Sequence, residues 1–358
     1  MKIISIETKK IKLELYKELK IAYAVLKNVE NVLVKITTDE GIAGYGEAAP
    51  FAPVTGETAD TVTTVIELLK PALLGGNPLE IGAIHSLMDR VVFGNTSAKC
   101  AIDTACYDIS GKAAQKPVYQ LLGGIDNTVQ NDMTIGISTP EKMAEEAVFL
   151  TKEKGCRIIK VKAGINPDFD IKALRLIRKA VGGAIRIRVD ANQGYTLNSA
   201  LETIKKMPAL HIDAVEQCLP YWDIESHSIL RENSNGVAIM LDESIHTIHD
   251  AERACKAHAA DMFNIKLMKS GGIYQGLKIN KIAESHNVKC MIGCMLETRL
   301  ALTAALSLAA AGSNITDVDC DSFLFYDDDK TGITGGFTVS ADTFTLADNP
   351  GLGIDFEF

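Results

Sequence analysis

"IIKVKAGI" (residues 158–165) and "IRIRVDAN" (residues 185–192) decide the fold. Each has the length and the isoleucine and valine content of a buried strand, yet each carries charge at every second position. Side chains alternate faces along a strand, so Lys160 and Lys162 share one face and Ile159 and Val161 the other. In the second stretch Ile185, Ile187 and Val189 oppose Arg186, Arg188 and Asp190. An open parallel sheet covered by helices on both faces reads apolar throughout. One polar face suits the interior of a closed barrel near its active-site mouth. The expected fold is therefore α/β, a TIM-type barrel.

Working outward, strands and helices alternate strictly from about Thr128. The expected strands are "NDMTIGI", "RIIKVKA", "IRIRVDAN", "AVEQCL", "VAIMLDES", "MFNIKLMKS", "VKCMIGCM" and "ITDVDCDSF", eight in all. The helix after the first opens with Thr139 as N-cap and Pro140 at its first position, and closes at Gly155. "NPDFDIKALRLIRKAVGG" places Ile171, Leu174 and Ile177 on one side and stops at Gly182. Residues 1–125 have a different rhythm. "NVLVKITTDEGIAGYGEAAP" is a hairpin, followed by helices over 57–74, 81–91 and 97–122, which makes a small α+β unit. The barrel then occupies 126–324.

Composition narrows the function. Hydrophobic residues make up 47% of the 358, enough for a large core, and the net charge is −9. That balance argues against a nucleic-acid or anionic-membrane partner. The start alternates like a strand and lacks a signal-peptide core, and "LALTAALSLAAAG" is too short to span a bilayer, so a cytoplasmic location is expected. Eight cysteines without CxxC spacing read as reduced, mostly buried thiols. "HTIH" (246–249) reads as surface helix rather than a metal pair.

Barrel enzymes draw catalytic groups from the C-terminal ends of their strands. Those ends carry Lys160 and Lys162, then Asp190, Glu216 and Asp242 at intervals of 26 residues, then Lys266 after 24 more. Each alone could be a solvated carboxylate or a paired lysine; their common phase points to a site. Three carboxylates converging suit a hard divalent cation, and Mg²⁺, one per subunit, fits best. Lysines on the second and sixth of eight strands face each other across the mouth. A carboxylate substrate held on the ion would place its α-carbon between Lys162 and Lys266, so one can remove the α-proton and the other return it from the opposite side. Lys160 would stabilise the enediolate. Burial and neighbouring cations are expected to lower the lysine pKa values.

These residues resemble the enolase superfamily, and the muconate-lactonizing enzyme subgroup in particular. "KVKAG" is similar to its Lys-x-Lys motif, "RVDANQGY", "VEQCL" and "LDES" to its metal-ligand motifs, and "NIKLMKSGG" to the motif of its sixth-strand lysine. The resemblance implies a modified (β/α)7β barrel, with residues 325–358 joining 1–125 in a capping domain. The seventh strand end, "IGCMLET", lacks the histidine of the acid-sugar dehydratases. "DVDCDSF" resembles the Asp-x-Asp motif by which dipeptide epimerases hold the substrate ammonium, at Asp319 and Asp321. The same resemblance implies substrate contacts at Thr134, Cys294 and Leu296. It therefore implies a small-molecule dipeptide substrate epimerised at its C-terminal residue, whose carboxylate chelates the ion. Relatives acting on L-Ala-D/L-Glu carry an arginine in the capping loop near position 21, where this chain has Ile21. Lys17, Lys20 or Lys27 could replace it, or other dipeptides are preferred. The alternatives are an o-succinylbenzoate synthase or muconate cycloisomerase of the same subgroup, and a non-catalytic, metal-dependent carboxylate-binding protein. A homo-oligomer is compatible with any of them.

Overall fold

The structure, a computed structural model, describes residues 1–22 and 24–358. All eight expected strands form, at Met133–Ile135, Ile158–Lys162, Arg186–Asp190, Ile212–Glu216, Ala238–Leu241, Met262–Lys266, Lys289–Gly293 and Ile315–Asp319. They hydrogen-bond in chain order as one parallel sheet, numbered here as barrel strands 1 to 8. Asp132 N donates to Val318 O at 3.0 Å, which brings strand 8 back against the approach to strand 1. Helical segments follow each of the first seven strands, and two short turns of 3₁₀ helix, Ser322–Leu324 and Asp328–Thr331, follow the eighth.

Strand polarity is as the alternation requires. Ile159, Val161, Ile187 and Val189 pack outward in one core with Ala147, Leu174 and Ile177 of the surrounding helices. Inside, a small cluster of Ala214, Met240 and Met291 sits with Arg188, whose guanidinium pairs with Asp132 (3.1 Å) and Asp317 (2.8 Å). Equal spacing along the chain does not, however, produce a level ring of carboxylates. Asp190 and Glu216 are lateral partners, but the partner of Glu216 on strand 5 is Met240, so Asp242 stands two residues further along, past the strand's last residue. Closing a barrel requires such stagger between strands.

The N-terminal unit is an antiparallel sheet of Ile3–Ile21, Ala24–Thr38 and Ala43–Ala48 backed by helices Ala59–Leu73, Ile81–Val91 and Thr96–Ala114. Two details differ from expectation. The segment around Ile21, expected as a loop, is the tip of a long hairpin in which Ile21 pairs with Ala24. The third helix does not run to 122: Gln115 takes a left-handed conformation (φ 53°), and Pro117 disfavours helix at the residue before it. A separate turn, Val118–Leu121, follows. The C-terminal hairpin of Phe337–Ser340 and Thr343–Leu346 pairs with Thr128–Gln130 at the foot of the barrel. The last residues return to the cap, where Phe356 and Phe358 meet Tyr45, with ring centroids 4.7 and 6.5 Å away.

Cap and barrel are joined at strand 7. Buried Glu47 of the cap accepts hydrogen bonds from Thr298 N (2.9 Å), Thr298 Oγ1 (2.5 Å) and Ala301 N (3.1 Å), neutralising the amides at the start of helix Arg299–Ala311. Asn31 Nδ2 donates both to Glu47 and to Leu296 O, at 2.7 and 2.8 Å.

All eight cysteines are free thiols, seven of them buried and Cys294 half-buried. Thr247 of "HTIH" caps helix Ile248–Lys256, and His249 is exposed. No helix among the described residues is long and apolar enough to cross a membrane.

Candidate active site

Lys160, Lys162, Asp242, Lys266, Asp319 and Asp321 line one cavity beneath the cap, together with Thr134, Cys294 and Leu296. Asp190 and Glu216 lie at its base, buried to within 2% of full enclosure. Sequence reasoning therefore placed its candidates in one place.

Each carboxylate is held by a specific donor. Lys162 Nζ donates to Asp190 Oδ2 at 2.6 Å, and Asp190 Oδ1 accepts from Asn192 N at 2.9 Å. Glu216 Oε1 accepts from Asn264 Nδ2 at 2.7 Å. Lys266 Nζ donates to Asp242 Oδ2 at 2.8 Å, and Lys160 pairs with Asp319. Asp321 Oδ2 accepts from Thr134 N at 2.7 Å. No three His, Cys, Asp or Glu side chains among the described residues form a ready-made ligand cluster.

The electrostatics show how closely the groups still act on one another. Burial, then the charge of Asp190, pushes the Glu216 carboxyl up to about 8. Burial, then Asp242 and Asp190, pushes Glu243 up to about 7. The lysines differ from expectation. Burial alone would lower Lys160 and Lys266, but Asp319 and Glu216 around the first, and Asp242 and Glu216 around the second, outweigh it and hold both ammonium groups well above the usual lysine range. Counter-charge beats desolvation because Asp319 and Asp242 are in direct contact with the two ammonium groups.

The loops that carry these groups are braced from behind. Asp170 Oδ2, in the first turn of helix Pro167–Val181, accepts from the amides of Gly164, Ile165 and Asn166 and from Tyr195 OH at 2.6 Å. This ties the loop after strand 2 to the loop after strand 3. The two loops touch backbone to backbone: Gly164 has φ +89°, and a Cβ there would lie 2.2 Å from Ala191 O. Gln217 Oε1 accepts from Asp242 N (2.8 Å) and Ser244 N (3.2 Å), fixing the loop after strand 5. Sequence reasoning missed Gln217, Glu243 and Asn264. Asn264 was recoverable, since it lies two residues before Lys266 and so faces the same way.

The roof of the cavity is of another kind. It is built from Leu19, Ile21, Leu26 and Val29 of the hairpin and Pro50, Phe51 and Val54 of the segment after Ala43–Ala48, with Phe325 from the segment after strand 8. None of Lys17, Lys20 and Lys27 lines it; Lys17 pairs with Glu146 (2.5 Å) and Lys27 with Glu18 (2.8 Å).

Comparison with known proteins agrees with this geometry. Residues 5–123 match the mandelate racemase/muconate lactonizing enzyme N-terminal domain, and residues 142–357 match the enolase C-terminal domain-like family. The chain is 41% identical to the hydrophobic dipeptide epimerase of Enterococcus faecalis, covering 99% of each chain. It is 40% identical to the L-Ala-D/L-Glu epimerase of Bacillus subtilis, over 99% of this chain and 97% of that one. A crystal structure of the E. faecalis dipeptide epimerase with Mg and L-Leu-L-Tyr superposes with a TM-score of 0.96, at 40% identity, over 99% of this chain and all of that one. The lysines and acids at the strand ends, the cap that closes over them and the two matched domain families have one common source: the chain belongs to the mandelate racemase/muconate lactonizing enzyme family of the enolase superfamily.

Proposed function

We propose that the protein is a Mg²⁺-dependent dipeptide epimerase that inverts the α-carbon of the C-terminal residue and prefers dipeptides with apolar side chains. The observation that carries this reading is the joint presence, in one cavity, of two lysines from strands 2 and 6, an aspartate pair from the end of strand 8, and an apolar roof.

The donor set fits a hard cation. Asp190, Glu216 and Asp242 offer only oxygen and are fully buried, and the charges of Asp190 and Asp242 add to burial in pushing the Glu216 carboxyl up. Asn192 adds a buried Oδ1 without a donor among the described residues. Those three acids would hold one Mg²⁺ per subunit; when bound, the ion stabilises the second negative charge that builds on the substrate carboxylate as its α-proton leaves. The remaining work falls to the chain. Lys162 and Lys266 exchange the α-proton from opposite faces, and Lys266, held protonated by its acids, stands ready as the donor in one direction. Lys160 keeps a fixed positive charge beside the reacting carboxylate. Asp319 and Asp321 receive the free ammonium end, with Thr134, Cys294 and Leu296 shaping that side. A roof without a cation favours leucine- or tyrosine-like side chains over glutamate. The cellular setting that goes with this reading is the cytoplasm, with no nucleic-acid or membrane partner.

The test is incubation with Mg²⁺ and L-Leu-L-Tyr in D₂O, followed by NMR and mass spectrometry. One deuteron at the tyrosine α-carbon with formation of L-Leu-D-Tyr is expected, and slower labelling of L-Ala-L-Glu. A protein that labels no dipeptide would be a binder, and one that labels L-Ala-L-Glu faster would lose the apolar preference.

A further inference from the structure

Lys269 lies just beyond strand 6, in the one-turn helix Leu267–Ser270, and no part of its side chain reaches solvent. Its ammonium sits 2.6 Å from Asp242 Oδ1 and hydrogen-bonds to the main-chain oxygens of Asp242 and, at 3.0 Å, Asn264. All three contacts are oxygens, two of them hydrogen-bonded and the third ion-paired. Two of them belong to Asp242, so Lys269 grips both the backbone and the side chain of one residue.

The Asp242 carboxylate thus stands between two ammonium groups of different character. Oδ2 faces Lys266, which lines the cavity; Oδ1 faces Lys269, which does not. Across the mouth the arrangement is different. Asp190 Oδ2 takes Lys162, but its Oδ1, among the described residues, takes only the neutral amide of Asn192. The two lysines proposed as bases therefore face acids that are anchored unequally.

We propose that Lys269 is a positioning residue, a buried counter-ion that holds Asp242 Oδ1 and leaves Oδ2 as the one oxygen for which Lys266 and the divalent ion compete. The inference rests on the function proposed above and deepens it. With Oδ1 already neutralised, Asp242 can give Oδ2 to the ion without keeping Lys266, and Lys266 becomes free to act on the substrate. Without Lys269 both oxygens are available to Lys266, and the two groups close on each other.

The variant is Lys269→Met, with Lys269→Gln as a second that retains an N–H donor for the two carbonyl oxygens. Mn²⁺ affinity of the substrate-free protein, read by electron paramagnetic resonance, is expected to fall about 10–100-fold. A purely electrostatic view predicts the opposite, since deleting a cation makes the site more negative and the ion bind more tightly. The second readout is α-proton exchange in D₂O from each epimer of the dipeptide separately. The direction that depends on Lys266→Ala should slow more than the direction that depends on Lys162→Ala. The third uses wild-type protein: reductive methylation mapped by mass spectrometry should show Lys266 becoming more reactive when Mn²⁺ is added, with Lys269 protected throughout. Unchanged or tighter Mn²⁺ binding in a folded variant, equal slowing of both directions, or a Lys266 indifferent to Mn²⁺ would each overturn the proposal. Wild-type protein that binds no Mn²⁺ would instead remove the functional reading, and this inference with it.

Discussion

The floor and the roof of the cavity differ in almost every physical respect. The floor is charged, buried and cross-linked by short hydrogen bonds among strand ends that cannot move independently. The roof is apolar, comes from a hairpin tip and one segment of the cap with Phe325 added, and meets the ligand space through the shapes of its side chains. The contrast separates two tasks. Rigid, preorganised charge determines which bond is broken; a shaped apolar surface discriminates among molecules that all contain that bond.

The sharpest way to break this division is at the floor. Lys162→Ala and Lys266→Ala should each reduce kcat by roughly 10²–10⁴-fold, with KM little changed, in a polarimetric assay. Equal activity in either variant would remove that lysine from the chemistry. The roof should respond differently. Ile21→Arg places a cation over the cavity, and should shift kcat/KM from L-Leu-L-Tyr toward L-Ala-L-Glu by about 10–200-fold, with the exchange mechanism intact. A loss of turnover on both dipeptides would mean that roof and floor are not separable.

The smallest effect concerns the junction between them. Burial pushes the Glu297 carboxyl up to about 8, although Met295 N donates to it at 2.9 Å. Between the unfolded value near 4.5 and 8, the folded chain therefore keeps a proton that the unfolded chain has lost. Its contribution to stability is full below pH 4.5, declines as pH rises through that window, and is flat above it. Glu297→Gln should flatten the decline in Tm between about pH 5 and 8. An identical slope in both proteins would show that Glu297 is already ionised.

The floor was legible in the sequence because a strand enforces period two. Lys160 and Lys162, Arg188 and Asp190 announce their common face by spacing alone. Asn264 obeys the same rule relative to Lys266, but a neutral amide in a strand carries no signal of its own. Gln217 and Lys269 were hidden for a different reason. Both lie past the strand ends, where the backbone turns (Gln217 has φ 37°) and alternation no longer says where a side chain points. The roof was legible only as an absence of arginine at Ile21. Its shape depends on a register shift between Glu14 and Leu19 in the hairpin, a pairing between distant segments that no local pattern encodes. The helix break at Gln115 was marked by Pro117, and its cue was present but outweighed by the apolar run around it.

Asn31 bonds the cap to Leu296 O, and Glu47 seats the cap on the helix after strand 7, through main-chain and hydroxyl groups that are indifferent to which side chains hang from the hairpin tip. A lineage carrying this joint can exchange the residues above its substrate one at a time, each step still leaving a working catalyst below. Diversification of diet without reinvention of chemistry is what such a fixed joint between domains makes affordable.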